Sequence, residues 1–121
     1  MIKLLHVEDD ADIREIALMA LELSGDFDVV QCETGEAALN QVQSYTPDVI
    51  LLDMMMPGMT DRQTLEKLRE NPDFANVPAI FMTARAQPNE LEELRGIGAT
   101  EVISKPFDPM SLADQIKAAI A

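Results

Sequence analysis

The hydrophobic and polar positions of the chain alternate between short apolar runs and longer segments with helical spacing. The run from Ile2 to Val7 is apolar over the length of a strand, and an acidic turn follows it. From Asp12 to Ser24 the apolar residues recur at helical spacing, and Gly25 supplies the stop signal. The sequence therefore predicts a first strand and a first helix joined by an acidic loop.

The same cycle of strand and helix recurs four more times along the chain. The later elements are predicted, in chain order, at Phe27 to Cys32, Gly35 to Tyr45, Asp48 to Asp53, Thr60 to Arg69, Pro78 to Thr83, about Pro88 to Ile97, Glu101 to Ser104 and Pro109 to Ala121. Five strand and helix units in tandem, with no linker between them, favour a parallel sheet with helices on both faces.

Helices on both faces require the chain to reverse its direction across the sheet once, because crossovers between parallel strands are right-handed. The strand order 2-1-3-4-5 is the common five-stranded solution, and it opens a crevice at the carboxyl ends of strands 1 and 3. We therefore predict an α/β fold with a five-stranded parallel doubly wound sheet of the flavodoxin-like type, (βα)5, in one domain over residues 1–121.

Composition and charge narrow the functional classes. With 121 residues and 47% hydrophobic side chains, the chain can bury one core without disulfides or metals as scaffolding. A net charge of -13 argues against direct binding to nucleic acid, which needs a basic face. The single Cys32, the lack of an export signal and the lack of any apolar run of roughly twenty residues predict a cytoplasmic protein that does not span a membrane.

Chemically active side chains are predicted at the carboxyl ends of several strands. Glu8 and Asp9 follow strand 1 and Asp53 ends strand 3, so three carboxylates should repel one another unless a cation is present. Hard oxygen ligands favour Mg²⁺, with Mn²⁺ as an alternative ion. Thr83 ends strand 4 and Lys105 follows strand 5. A carboxylate, a divalent metal, a lysine and a hydroxyl are the groups needed to form an aspartyl phosphate.

The order of these motifs resembles the receiver domain of two-component response regulators, and the single-domain chemotaxis-type regulators in particular. The resemblance covers the whole length of the chain. The segments that carry it are His6-Val7-Glu8-Asp9-Asp10, Val49 to Asp53 with the following Met54-Met55-Met56-Pro57-Gly58-Met59, Met82-Thr83-Ala84, and Ser104-Lys105-Pro106-Phe107.

The resemblance implies a role for each acid at the sheet edge. Asp53 would accept a phosphoryl group from a phosphohistidine of a histidine kinase or histidine phosphotransfer protein. Asp9 and Asp53 would bind Mg²⁺ directly, together with the backbone carbonyl of Met55. Glu8 would act through a metal-bound water. Such a protein is a signalling phosphoacceptor that assists its own phosphorylation and dephosphorylation, with no turnover of an external substrate.

The resemblance also implies a phosphoryl contact and a conformational switch. Lys105 would pair with the phosphoryl group, aimed by a Lys105-Pro106 bond that is typically cis in the family, and Thr83 would swing towards the phosphate. Two departures from the family pattern stand out. Val102 occupies the place of the usual aromatic switch residue, so the usual coupled rotation of Thr83 and a Tyr or Phe is not expected in the same form. Thr60-Asp61 replaces the common Asp-Gly.

Partners follow from the same resemblance. The family uses the face formed by helix 4, strand 5 and helix 5 for output, and Glu92 and Glu93 fall on the predicted fourth helix. We expect a monomer or a weak, phosphorylation-dependent homodimer, with no nucleic acid or membrane as direct partner. Because the chain ends at Ala121, directly after the predicted fifth helix, no output domain is expected within it, and it is either a free-standing regulator or a piece of a longer protein.

Several residues favour an ordinary structural interpretation. Asp10 or Asp12 is expected to cap helix 1, His6 to pack inside strand 1, and Cys32 to be a small buried hydrophobe. Three other functions are alternatives for such a chain. A flavodoxin-like cofactor binder would need a Gly/Ser/Thr loop after strand 1, an aspartyl-phosphate phosphatase would need an Asp-x-Asp loop there, and a phosphorylation-independent adaptor would not need the full set of acids, Thr and Lys.

Overall fold

The computed structural model describes residues 1–53, 61–83, 92, 95–96, 99–104 and 107–120. Its strands are β1 (Ile2–Val7), β2 (Phe27–Cys32), β3 (Val49–Asp53), β4 (Ala79–Thr83) and β5 (Glu101–Ser104). Its helices are α1 (Ala11–Ser24), α2 (Gly35–Gln41), α3 (Asp61–Arg69), a short 3-10 helix (Pro72–Phe74) and a C-terminal helix (Leu112–Ile120).

The five strands form one parallel sheet in the order β2-β1-β3-β4-β5, which confirms the predicted order. Strand β1 lies between β2 and β3: its residue Val7 pairs with Cys32 of β2 on one side and with Leu52 of β3 on the other. The chain moves outward from β1 to β2, returns past β1 to β3, and then continues in one direction. The reversal therefore lies between β1 and β3, as a doubly wound sheet requires.

Alternate strand residues enter two separate hydrophobic clusters, one on each face of the sheet. On β1, Leu5 joins the cluster that also contains Leu65 of α3, whereas Leu4 joins the cluster that contains Leu21 of α1 and Ile116 of the C-terminal helix. Strand residues therefore alternate between the two faces, and both faces are buried. This explains why the central strands are continuous apolar runs and not alternating ones.

The ends of α1 are fixed by local hydrogen bonds that the sequence indicates. Asp10 is the N-cap, because its Oδ1 accepts the backbone N–H groups of Asp12 at 2.8 Å and Ile13 at 3.3 Å. At the other end Gly25 has a φ of 75° and donates its N–H to the Glu22 carbonyl. The expectation that a helix-1 acid serves as cap is confirmed for Asp10.

Two helices differ from the predicted bounds by more than one residue at an end. Helix α2 ends at Gln41 and not at Tyr45, because the backbone tightens into turns in which Gln43 bonds back to Asn40 and Ser44 to Gln41. The C-terminal helix begins at Leu112 and not at Pro109. Asp108 forms a turn there: its side chain accepts the Met110 N–H at 2.9 Å, and its carbonyl accepts the Ser111 N–H at 3.1 Å.

Part of the predicted fourth helix lies outside the described residues. Residues 92, 95 and 96 are helical, and both Glu92 and Arg95 are exposed, as expected for a solvated face. Glu93 and the rest of the interval from Pro88 to Ile97 are not described. No helix among the described residues is long and apolar enough to cross a membrane.

Cys32 gives the fold a pH dependence in the alkaline range. Burial raises the pKa of its thiol above the ordinary value of 9.0, because the thiolate would lose its hydration. The folded state therefore favours the neutral thiol, and this contribution is present below pH 9.0 and lost as the pH rises towards the folded-state value. We expect urea denaturation between about pH 8 and pH 10.5 to show a steeper loss of stability in the wild type than in Cys32→Ala. A constant difference between the two proteins across this range would contradict the assignment.

Candidate functional site at the carboxyl edge of the sheet

The register of the strands brings the predicted site positions to one edge. Val7 pairs with Leu52, so the next residues along the two neighbouring strands are Glu8 and Asp53. At the same edge the last residue of β4, Thr83, pairs with Ser104, the last residue of β5. The acidic loop after β1 therefore lies beside the end of β3, at the point where the chain reverses across the sheet.

Glu8 is a fully buried carboxylate at this edge. Its backbone N–H donates to the Cys32 carbonyl at 2.9 Å, which extends the contact between β1 and β2 by one residue. Its Oε2 lies 3.4 Å from the backbone N of Asp10, which donates to it. A buried carboxylate loses its hydration and needs compensating groups, so a charged Glu8 at this position favours a cation nearby.

Asp9 and Asp10 differ from Glu8 in their surroundings. Both are exposed, but the Asp10 carboxylate is engaged in capping α1. Asp9 is the exposed acid that follows Glu8 directly. The turn therefore separates three consecutive acids into a buried carboxylate, a solvent-facing carboxylate and a helix cap. Of these three acids, Glu8 and Asp9 remain as candidates for a metal site.

Arg14 of α1 contacts this turn, a role that the hydrophobic pattern did not predict. Its Nη1 donates to the Glu8 carbonyl oxygen at 2.7 Å, and its Nη2 lies 3.6 Å from Oε1 of Glu33. A signal was present in the sequence, because a cation at the start of a helix opposes the helix dipole unless an anionic or carbonyl group compensates it. Arg14 thus ties the loop after β1 to the loop after β2.

His6 is packed inside β1, as expected. It is fully buried, and its Nδ1 lies 3.2 Å from Nε2 of Gln31. The same Gln31 amide nitrogen donates to the backbone carbonyl of Arg14 at 2.7 Å. His6 therefore belongs to a hydrogen-bonded group beneath the acidic turn, where a phosphodonor could not reach it.

The described part of the site fits a hard divalent cation in its chemistry. Glu8 and Asp9 supply carboxylate oxygens, and no imidazole or thiolate is needed for Mg²⁺. Among the residues that the structure describes, no three His, Cys, Asp or Glu side chains are grouped to hold a metal. The predicted third acid, Asp53, is described only in its backbone, as is Thr83, while Met55, Lys105 and Pro106 lie outside the described residues.

An apolar groove runs between α1 and the C-terminal helix. Its volume is about 470 Å³. On α1 it is lined by a stripe at helical spacing, and opposite the stripe lie Met110 and Ala113. The stripe consists of Ile16, Met19, Ala20 and Leu23. Leu23 is 84% exposed and Met19 58%, so most of this second apolar stripe lies outside the buried face of α1 that carries Ala17 and Leu21. Ala20 joins the two, since it packs against the same cluster.

Lys117 borders this groove and is held in place by acids. Its Nζ lies 2.8 Å from Asp26 and 3.7 Å from Asp114. The hydrogen bond to Asp26 raises the pKa of Lys117, with smaller contributions from the charges of both acids. The charge of this lysine is therefore largely offset, and the groove is apolar with an acidic border.

Comparison with known proteins places the chain among signalling modules. Residues 4–117 match the family model of the response regulator receiver domain. The chain is 39% identical over 118 residues to the phosphate regulon transcriptional regulatory protein PhoB of Escherichia coli, and 37% identical over 111 residues to the response regulator Rre1 of Synechocystis. These matches cover 96% and 92% of the chain but only 50% and 48% of the relatives, so it spans about half their length.

The fold agrees with solved structures of the same kind. The structure of the chemotaxis response regulator CheY4 of Vibrio cholerae superposes with a TM-score of 0.92 at 29% identity, over 98% of both chains. A response regulator structure from Chloroflexus aurantiacus superposes with a TM-score of 0.89 at 27% identity. The resemblance inferred from the four motif segments is thus confirmed, and the chain belongs to the response regulator receiver domain family.

Proposed function

We propose that the chain is a phosphoacceptor in two-component signalling and that Asp53 is the residue phosphorylated. The observation that supports the proposal is the register of β1 against β3, which pairs Val7 with Leu52, the residues directly before Glu8 and Asp53, at the reversal of the sheet. Membership of the receiver family supports the same interpretation of Asp53. The loop after β1 is Glu8-Asp9-Asp10, and neither the Gly/Ser/Thr loop of a flavodoxin-like cofactor binder nor the Asp-x-Asp loop of an aspartyl-phosphate phosphatase that begins directly at the strand end. A phosphorylation-independent adaptor would not need these acids.

In the proposed reaction, a carboxylate oxygen of Asp53 attacks the phosphorus of a phosphohistidine. A new P–O bond forms, the P–N bond breaks, and the electron pair returns to the imidazole of the donor. Mg²⁺, when bound, would supply positive charge to the phosphoryl oxygens. Asp9 and Asp53 would hold the ion directly, with the carbonyl of Met55, and Glu8 would contribute through a water.

Two further groups complete the proposed site. Lys105 would pair with the phosphoryl oxygens, and the hydroxyl of Thr83 would turn towards them after transfer. Thr83 is the last residue of β4 and Lys105 follows the last residue of β5, and these two strand ends are adjacent, since Thr83 and Ser104 are paired in the sheet. Val102 is half-buried and packs against the hydrophobic cluster that contains Phe81. Because a valine has no large ring to rotate, the proposed signal passes through the backbone after β4.

The experiment that tests this function uses acetyl phosphate as a small phosphodonor. The purified chain is incubated with acetyl phosphate and Mg²⁺, and intact mass is compared for the wild type and Asp53→Asn. We expect the mass of one phosphoryl group on the wild type and none on the variant. Omission of Mg²⁺ should suppress the product. A wild type that takes up no phosphoryl group would refute the proposed function.

The groove between α1 and the C-terminal helix is the proposed docking surface for the phosphohistidine donor. It begins on the same helix whose N-terminus carries the acidic turn, so a donor seated on it would reach the edge of the sheet. The net charge of -13 and the acidic border favour a donor surface with basic residues around an apolar centre. The histidine kinase or phosphotransfer protein is thus expected to contact Met19 and Leu23.

Met19→Glu tests the docking proposal because Met19 is exposed and away from the acidic turn. We expect phosphoryl transfer from a purified phosphorylated histidine kinase to slow roughly tenfold, the usual cost of losing a central apolar contact at an interface. The rate with acetyl phosphate should be unchanged. Ala75→Glu, an exposed position beside the 3-10 helix, is the matched control and should leave both rates unchanged. Equal kinase rates for Met19→Glu and Ala75→Glu would remove this surface from the account.

A further inference from the structure

We infer that Arg14 is a positioning residue that holds the acidic turn in the conformation that binds the divalent ion. This inference rests on the proposed function, since it concerns the same site. Arg14 does not touch the proposed phosphoryl group. It acts through the backbone of Glu8, the residue that directly precedes the proposed metal ligand Asp9.

The geometry of Arg14 fits this role. Its guanidinium donates to the Glu8 carbonyl oxygen at 2.7 Å, a short distance for a charge-assisted hydrogen bond. The side chain is only 18% exposed, so it is held between the loops after β1 and β2. The second arm points to Glu33, whose side chain is 75% exposed, and at 3.6 Å this contact is weak. The bond to Glu8 is therefore the main function of the side chain.

The backbone of Arg14 is fixed as well. Its N–H donates to the Asp10 carbonyl at 3.0 Å, and its carbonyl accepts from Gln31 Nε2 at 2.7 Å. Gln31 in turn contacts the buried His6 of β1. The arginine is thus tied to the sheet at its backbone and to the acidic turn at its side chain, so the turn is held against β1 and β2 at both ends.

If Arg14 acted only through its charge, its removal would change Mg²⁺ affinity in the direction opposite to that expected for a positioning residue. A guanidinium near a metal site repels the metal ion, so removing the charge should strengthen Mg²⁺ binding. Removing a hydrogen bond that orients a ligand should weaken binding, and outer contacts of this kind are commonly worth 10–100-fold in metal affinity. The sign of the change in affinity therefore decides between the two effects.

The test is calorimetric titration of MgCl₂ into the whole chain, compared for the wild type, Arg14→Met and Lys67→Met. Arg14→Met keeps much of the side-chain length and removes both charge and donors. Lys67→Met removes one exposed charge from the end of α3, away from the site edge. We expect Arg14→Met to bind Mg²⁺ about tenfold more weakly than the wild type. Lys67→Met should bind as the wild type does, or slightly more tightly.

The outcomes separate the inference from the function on which it rests. Equal or tighter binding by folded Arg14→Met overturns the positioning role while leaving the proposed function intact. A wild type that binds no Mg²⁺ counts against the proposed function itself. If Arg14→Met does not fold, Arg14→Lys replaces it, because it keeps the charge but not the planar guanidinium. Weaker Mg²⁺ binding by Arg14→Lys supports positioning, and binding equal to the wild type overturns it.

Discussion

Replacement of Asp9 by Asn is expected to weaken Mg²⁺ binding at least about 30-fold. The substitution keeps the shape of the side chain and removes one negative charge beside a divalent ion. Two unit charges about 4 Å apart interact by roughly 1 kcal/mol in water and by roughly 4 kcal/mol near a protein surface. A divalent ion that loses one carboxylate charge therefore loses about 2–8 kcal/mol of binding free energy. Calorimetric titration with MgCl₂ measures the effect directly, and phosphorylation by acetyl phosphate should fall in parallel.

The control for Asp9→Asn is Asp12→Asn. Asp12 is also an exposed acid near the start of α1, but it lies in the first helical turn and not in the loop beside β3. Its replacement should change Mg²⁺ affinity less than about threefold, through the general field of the protein alone. Similar losses for the two variants would show that Mg²⁺ senses only the overall charge of this region and that Asp9 is not a ligand.

Leu51→Ala is expected to lower the free energy of unfolding by about 2–5 kcal/mol. Leu51 lies in the central strand β3 and is fully buried in the cluster that α1 and the C-terminal helix cover. Truncation removes apolar contacts and leaves a cavity between layers that are packed from both sides. Urea denaturation monitored by circular dichroism measures this loss of unfolding free energy. The slope of unfolding free energy against urea concentration should stay unchanged.

Leu23→Ala is the matched control for the core, since it makes the same chemical change on a side chain that is 84% exposed. It should alter stability by no more than about 0.5 kcal/mol. A large loss from Leu23→Ala would mean that the groove is part of the folded core and not a docking surface. A small loss from Leu51→Ala would contradict the two-sided burial of the sheet.

Much of the fold could be predicted because its strands are short, apolar and separated by helical stripes. The five strand positions and the reversal at β1 follow from the unit count and from the handedness of crossovers. That an acid caps the start of α1 was also predictable, because an acid before a helical pattern satisfies unbonded N–H groups at the helix start. The family resemblance added the proposed roles of the site residues.

The bounds of two helices could not be read from the pattern, for a physical reason. Val42 and Tyr45 continue the apolar stripe of α2 beyond its end, since turns that follow a helix still direct side chains to the core. The hydroxyl of Tyr45 reaches the Asp28 carbonyl at 3.3 Å from such a turn. Near the C-terminus, Pro109 suits a first helical turn but also suits the turn that Asp108 stabilises.

Arg14 and the groove were missed because both depend on three-dimensional neighbours. The reach of Arg14 back to Glu8 requires the angle between β1 and α1, which periodicity does not give. The groove requires α1 and the C-terminal helix to be adjacent, although they lie about ninety residues apart in sequence. The available signal for the groove was that the apolar residues of α1 cover more than the one face that packs against the sheet.

The most direct measurement of the central claim is chemical identification of the phosphorylated residue. After treatment with acetyl phosphate and Mg²⁺, borohydride reduces an aspartyl phosphate to homoserine, and tandem mass spectrometry locates the conversion. We predict homoserine at position 53 and at no other aspartate, including Asp9 and Asp10. Conversion at a different aspartate, or a phosphoryl group on a residue that borohydride leaves unchanged, would contradict the assignment of Asp53 as the phosphoacceptor.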